Sequence, residues 1–108
     1  MHRGGEADEK MAETALSNAL FSYDTIFRER LFRLSTRQKE LLFAIAAEGE
    51  VEKITSVEFI HKYSLASASA VQTALKALMK TELLDREFGK VFIAEKFFAL
   101  WLKKNYCN

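Results

Sequence analysis

Ser69, Gln72, Thr73, Lys76 and Lys80 recur at three- and four-residue steps within the segment Ser67–Lys80, which gathers them on one side of an α-helix. That side offers two ammonium groups, a carboxamide and two hydroxyls, and no carboxylate. Lysines complement phosphates, and a Gln amide can pair bidentately with the edge of adenine, so the chemistry available is contact with a nucleic-acid groove. An ordinary solvated helix carries the same residue types. The opposite side holds Ala68, Val71, Leu75, Leu78 and Met79, a stripe that faces a core.

Flanking elements must position this face. Upstream, Thr55-Ser56-Val57-Glu58 has the spacing of a capping box, with the Thr55 hydroxyl accepting from the Glu58 N–H. A short helix from about Ser56 then buries Val57, Phe59, Ile60 and Tyr63. Ser64-Leu65-Ala66 forms a link, and Ser67 caps the next helix, where it and the free N–H groups of the first turn can hold a phosphate. This is a helix-turn-helix layout. Downstream, Leu84–Glu87 and Lys90–Ala94 are extended runs around Phe88-Gly89, the glycine able to take positive φ. Such a hairpin is a wing, and its Arg86 and Lys90 can reach a nucleic-acid backbone or minor groove.

The remaining segments frame this unit. Residues 1–9 read as a disordered lead-in, residues 10–34 as a long N-terminal helix within a helical pattern over about Ala7–Arg33, and residues 35–108 as the domain. Leu16, Leu20, Tyr23, Phe27 and Leu31 form the first helix's stripe, with Phe21, Ile26 and Phe32 outside it. Ser35 and Gln38 have capping-box spacing ahead of a helix that buries Leu41, Leu42, Ile45 and Ala46 and ends at Gly49 in a left-handed cap. Val51 or Ile54 supplies a short strand beside the wing. A last helix over about Glu95–Lys104 turns Phe97, Phe98, Trp101 and Leu102 inward. The fold class is mostly α with a small β-hairpin wing: a winged helix-turn-helix flanked by a long N-terminal and a short C-terminal helix.

The chain has 108 residues, enough for one modest core, with 49% hydrophobic and 29% charged residues and no proline. Its formal net charge of +1 is unevenly spread. Residues 1–20 hold two basic against four acidic side chains, whereas residues 51–108 hold nine against six, so the positive excess coincides with the helix-turn-helix and wing. That excess is modest for a nucleic-acid binder. Cys107 has no cysteine partner and reads as a tail residue, His2 likewise, and His61 as a surface position, so no metal set is expected. No apolar run approaches the roughly 18 residues needed to span a bilayer and no signal peptide is visible, so a cytoplasmic location without a membrane partner is expected.

One larger pattern runs through these segments: Leu34–Leu42, Ala44-Ile45-Ala46, Glu48-Gly49, Ile54-Thr55-Ser56, Phe59-Ile60, Tyr63-Ser64-Leu65, Ser67, Ser69, Val71, Ala74-Leu75, Leu78, Phe98 and Trp101-Leu102. Over about Tyr23–Lys104 it resembles the C-terminal winged-helix region of bacterial and archaeal-type P-loop (AAA/signal-transduction-like) ATPases. In that family a nucleotide-binding domain precedes the region. This chain has neither a G-x-x-x-x-G-K-[ST] loop nor a Walker B strand, so the resemblance implies a C-terminal fragment, with ATP and Mg²⁺ bound in the missing domain and no cofactor here.

Three function classes follow. The first is binding of double-stranded DNA through Ser67, Ser69, Gln72, Thr73, Lys76, Lys80, Arg86 and Lys90. The second is an interaction module that packs on the parent ATPase domain or forms a homodimer. An enzyme is the least favoured, because no nucleophile, acid–base pair or phosphate loop is visible.

Overall fold

Five α-helices and three short strands account for the regular structure of residues 23–107, which the computed structural model describes. They are α1 (Asp24–Phe32), α2 (Thr36–Glu48), β1 (Glu50–Val51), α3 (Val57–Lys62), α4 (Ala68–Lys80), β2 (Leu84–Glu87), β3 (Lys90–Ile93) and α5 (Lys96–Tyr106). The expected lead-in, the helix before Tyr23 and its Leu16, Leu20 and Phe21 lie outside the described residues. The architecture is mostly helical, with a three-stranded antiparallel sheet in the order β1-β3-β2. Val51 joins the sheet opposite Val91, while Ile54 is buried beside it rather than paired.

The centre of the fold is α2. Its start is the expected capping box: the Gln38 N–H donates to Ser35 Oγ (3.2 Å) and the Ser35 N–H to Gln38 Oε1 (3.1 Å). Leu41, Leu42, Ala44, Ile45 and Ala46 are all buried, so apolar atoms cover most of its circumference. A helix buried over most of its circumference needs covering elements on several sides, and α4, α5, β1 and β3 supply them. It ends at Gly49, whose N–H donates to Ile45 O (2.8 Å). The glycine has the expected positive φ (+88°), but its ψ of −59° turns the chain straight into β1 instead of through a left-handed helical cap.

The two flanking helices are joined by aromatic packing. The Phe27 ring lies 5.0 Å from Phe98 and 5.5 Å from Trp101, centroid to centroid, and all three are buried. Trp101 Nε1–H donates to Asp24 Oδ1 (2.8 Å), which satisfies the one polar atom of the indole. Asp24 also pairs with Arg28 (2.7 Å) and sits in the first turn of α1, where the helix dipole favours a carboxylate. The Arg28 hydrogen bond, reinforced by that of Trp101, holds the Asp24 carboxyl below its ordinary value.

Several expectations are corrected. The cap of α3 is Ser56, not Thr55: a turn brings the Ser56 N–H to Lys53 O (3.1 Å), which leaves Ser56 extended with its hydroxyl accepting from Phe59 N–H (3.2 Å). Starting one residue later, the helix points Val57 to solvent, 79% exposed, and buries Phe59. In α4 the buried line is Val71, Ala74 and Leu78. Ala74, lacking bulk beyond Cβ, suits close approach to α2, and Leu75 and Met79 are turned to the flank while Ala68 is exposed. Phe97 is partly exposed, stacking on Tyr23. Cys107 is half-buried rather than a free tail residue, its thiol donating to Phe43 O (3.5 Å), and burial pushes the thiol pKa up. No helix among the described residues is long and apolar enough to cross a membrane.

Two measurements check this account. Phe27→Ala empties the ring site between α1 and α5 and is expected to cost about 3–5 kcal/mol in urea unfolding. Glu48 at the end of α2 accepts from Lys62 Nζ (2.7 Å) and the Tyr63 hydroxyl, and its carboxyl, like that of Asp24, is held below its ordinary value, first by Lys62. Both carboxyls bind protons less tightly when folded, so their contribution to stability is complete above the ordinary values of 4.5 and 3.8 and is lost as pH falls through the lowered folded values. The Tm should therefore drop on acidification below pH 4.5, and by less in Asp24→Asn and Glu48→Gln variants.

Candidate nucleic-acid interface

The orientation of α4 is set by the turns at its two ends. After α3 the chain closes a Schellman motif: Leu65 N–H donates to Ile60 O (2.9 Å) and Ser64 N–H to His61 O (3.2 Å), with Ser64 at φ +53°. Leu65 is buried, anchoring the turn on the core. Ser67 then caps α4, its hydroxyl accepting from Ala70 N–H (3.1 Å) as expected. The same motif ends α4, where Leu83 N–H donates to Leu78 O and Glu82 N–H to Met79 O, each 3.1 Å, with Glu82 at φ +64°. Neither turn uses the glycine that normally marks it.

Between α4 and the hairpin lies an open groove of about 690 Å³. Ser69, Gln72, Thr73 and Lys76 line it from the helix, the half-buried Leu75 and Met79 form its apolar part, and Arg86 closes it from β2. Five of the eight residues singled out from the sequence are thus brought together. Thr73 has its hydroxyl proton engaged with Ser69 O (3.1 Å), which leaves it an acceptor towards the groove. Lys76, Lys80 and Arg86 have no carboxylate partner among the described residues. Lys80 is exposed one turn beyond Lys76 and does not line the groove, and Ser67 stands at the helix start.

Strand alternation decides which hairpin charges face this groove. Leu84 pairs with Ile93 and Arg86 with Val91, so Arg86 shares the face of the buried residues and lies on the α4 side. Asp85, Glu87, Lys90 and Glu50 occupy the other face. Lys90 therefore does not line the groove: its Nζ lies 3.3 Å from Glu50 Oε1 on the far side of the sheet. Asp85 turns its carboxylate back to the Arg86 N–H (2.8 Å), satisfying an outward-facing donor of the edge strand.

Sequence reasoning missed Leu75 and Met79 as groove residues because both fit the core-facing stripe. Their positions three residues after Gln72 and Lys76 were the available signal. His61 is exposed, as expected for a surface position. Among the described residues no group of three or more His, Cys, Asp or Glu side chains is placed to share a cation.

A family model described as a probable winged helix domain matches residues 25–104, from α1 almost to the end of α5. No curated protein and no solved structure gives a significant match. The cap at Ser67 positions the whole exposed face of α4, so Ser67→Ala is expected to lower stability by about 1 kcal/mol in chemical denaturation, with loss of amide-exchange protection concentrated in the first turn of α4.

Proposed function

Because this chain belongs to the probable winged helix domain family, we propose that it binds double-stranded DNA, with α4 in the major groove and the hairpin alongside. The observation that carries this reading is the convergence of Gln72, Lys76 and Arg86 on one open groove, with the acidic side chains of the hairpin on its opposite face. Lys76 and Lys80 supply phosphate contacts, Gln72 a bidentate contact to adenine, and Ser69 and Thr73 shorter polar contacts. Ser67 and the orphan N–H groups at the start of α4 hold a phosphate. The role is binding, not catalysis.

The resemblance over Tyr23–Lys104 supports a parent protein of the P-loop ATPase class, in which ATP and Mg²⁺ are bound by a separate domain and this module responds to or regulates it in the cytoplasm. A second reading, packing on that domain or on a second copy, is favoured by the exposed Tyr23 ahead of α1, Ile26 on it, and Phe97 and Leu100 of α5.

Binding to a mixed-sequence duplex, measured by fluorescence anisotropy at low and moderate salt, distinguishes the two readings. The parent chain should bind with a clear salt slope, and the Lys76→Glu, Lys80→Glu double variant should not bind. Arg86→Ala should weaken binding about tenfold, against little change for Lys90→Ala, whose charge Glu50 already meets. If the parent does not bind even at low salt, the DNA reading fails and the module is one of protein interaction.

A further inference from the structure

The hairpin tip is built from an unusual pair. Phe88 and Gly89 form a two-residue loop, both with positive φ (+53° and +77°), the geometry for which Asn-Gly or Gly-Gly is the low-strain choice. Phenylalanine is disfavoured there, and its ring is 93% exposed at the end of the hairpin. The positive φ costs stability, and the exposed ring offsets none of it by burial.

The charge around the ring indicates what would receive it. Glu87 precedes it, Asp85 lies on the same sheet face, and Lys90 is already paired with Glu50. Arg86 points to the other face, so on this face the ring is flanked by two carboxylates without a basic partner among the described residues, and these complement a basic rim. The α4 groove has such a rim, in Lys76 and Arg86, around the half-buried thioether of Met79 and the Leu75 side chain. Sulfur and aliphatic groups are favourable contacts for an aromatic ring.

We propose that the hairpin tip of one copy docks into the α4 groove of a second copy, with Phe88 against Met79 and Leu75 and Glu87 against the Lys76–Arg86 rim. Phe88 is only two residues from Arg86, so tip and groove share one surface, as a two-fold exchange of tips requires. Each ring buries about 150–250 Å². Two rings and their surroundings form a small interface, giving a dissociation constant on the order of 100 μM. The self-docked tip occupies the groove assigned to DNA, so self-association and duplex binding exclude one another. This exclusion rests on the DNA reading, whereas self-association in the absence of DNA does not.

The test is sedimentation equilibrium of the full chain without DNA, from about 10 μM to about 1 mM, a range that brackets weak association. The parent should move from monomer towards dimer. Phe88→Asn should remain monomeric while its hairpin stays folded, since Asn-Gly suits this turn, and Met79→Lys, which places a charge in the receiving groove, should remain monomeric too. A parent that is monomeric throughout overturns the proposal. So does a Phe88→Asn variant that associates as the parent does, or association that survives both variants and is lost in Ile26→Lys. Duplex binding by Phe88→Asn should equal or exceed that of the parent at high protein concentration; a tenfold loss would instead make the ring a DNA contact and overturn self-docking. A parent that dimerises but binds no duplex refutes the DNA reading and leaves the docking intact.

Discussion

Burial of α2 on most of its circumference is the constraint from which the arrangement of the other elements follows. With Leu41, Leu42, Ala44, Ile45 and Ala46 all buried, only the side of Glu40, Phe43 and Ala47 is left half open to water. The chain meets this requirement with a helix pair, α4 and α5, and with a sheet formed from segments that are distant in sequence. Each covering element presents one apolar side to α2 and releases the other to solvent. On α4 the released side carries Ser69, Gln72, Thr73, Lys76 and Lys80, so the candidate interface is a direct consequence of how α2 is covered.

The sheet turns a modest overall charge into a local one. Counted along the chain, the hairpin is acidic as much as basic, and Asp85 and Glu87 weigh against contact with a polyanion. The period-two alternation of a strand separates these charges onto two faces. Arg86 is sent towards α4, where Lys76 and Lys80 lie, and the carboxylates are sent to the side where Glu50 holds Lys90. Electrostatic attraction acts over a distance of about 10 Å at 0.1 M salt, so the placement of three cations on one surface matters more than a net charge of +1.

Much of this was legible in the residues. The Ser35–Gln38 capping box, the Ser67 cap, the hairpin around Phe88-Gly89 and the apolar sides of α2 and, apart from Phe97, α5 all carry local signals that the structure follows. The errors also share a cause. Thr55 and Ser56 are both good caps, and only the turn from Lys53 decided between them. Leu75 outranks Ala74 in hydrophobicity, but close packing of α4 on α2 favoured the smaller residue. The turns at Ser64 and Glu82 use positive φ without a glycine, so they left no mark in the sequence.

Periodicity, capping residues and the hairpin loop are properties of neighbours within about four positions, and they were enough to define the helix-turn-helix, its hairpin and the polar face of α4. Which of the eight candidate residues share a groove was decided in three dimensions. Lys90 and Arg86 are four residues apart and look equivalent on paper; the register of β2 on β3 places one against Glu50 and the other against α4. Cys107 and Asp24 likewise gained partners, in Phe43 and Trp101, only through the docking of α5. Pairings across 64 and 77 residues depend on which surfaces the core leaves open, and no local pattern encodes that.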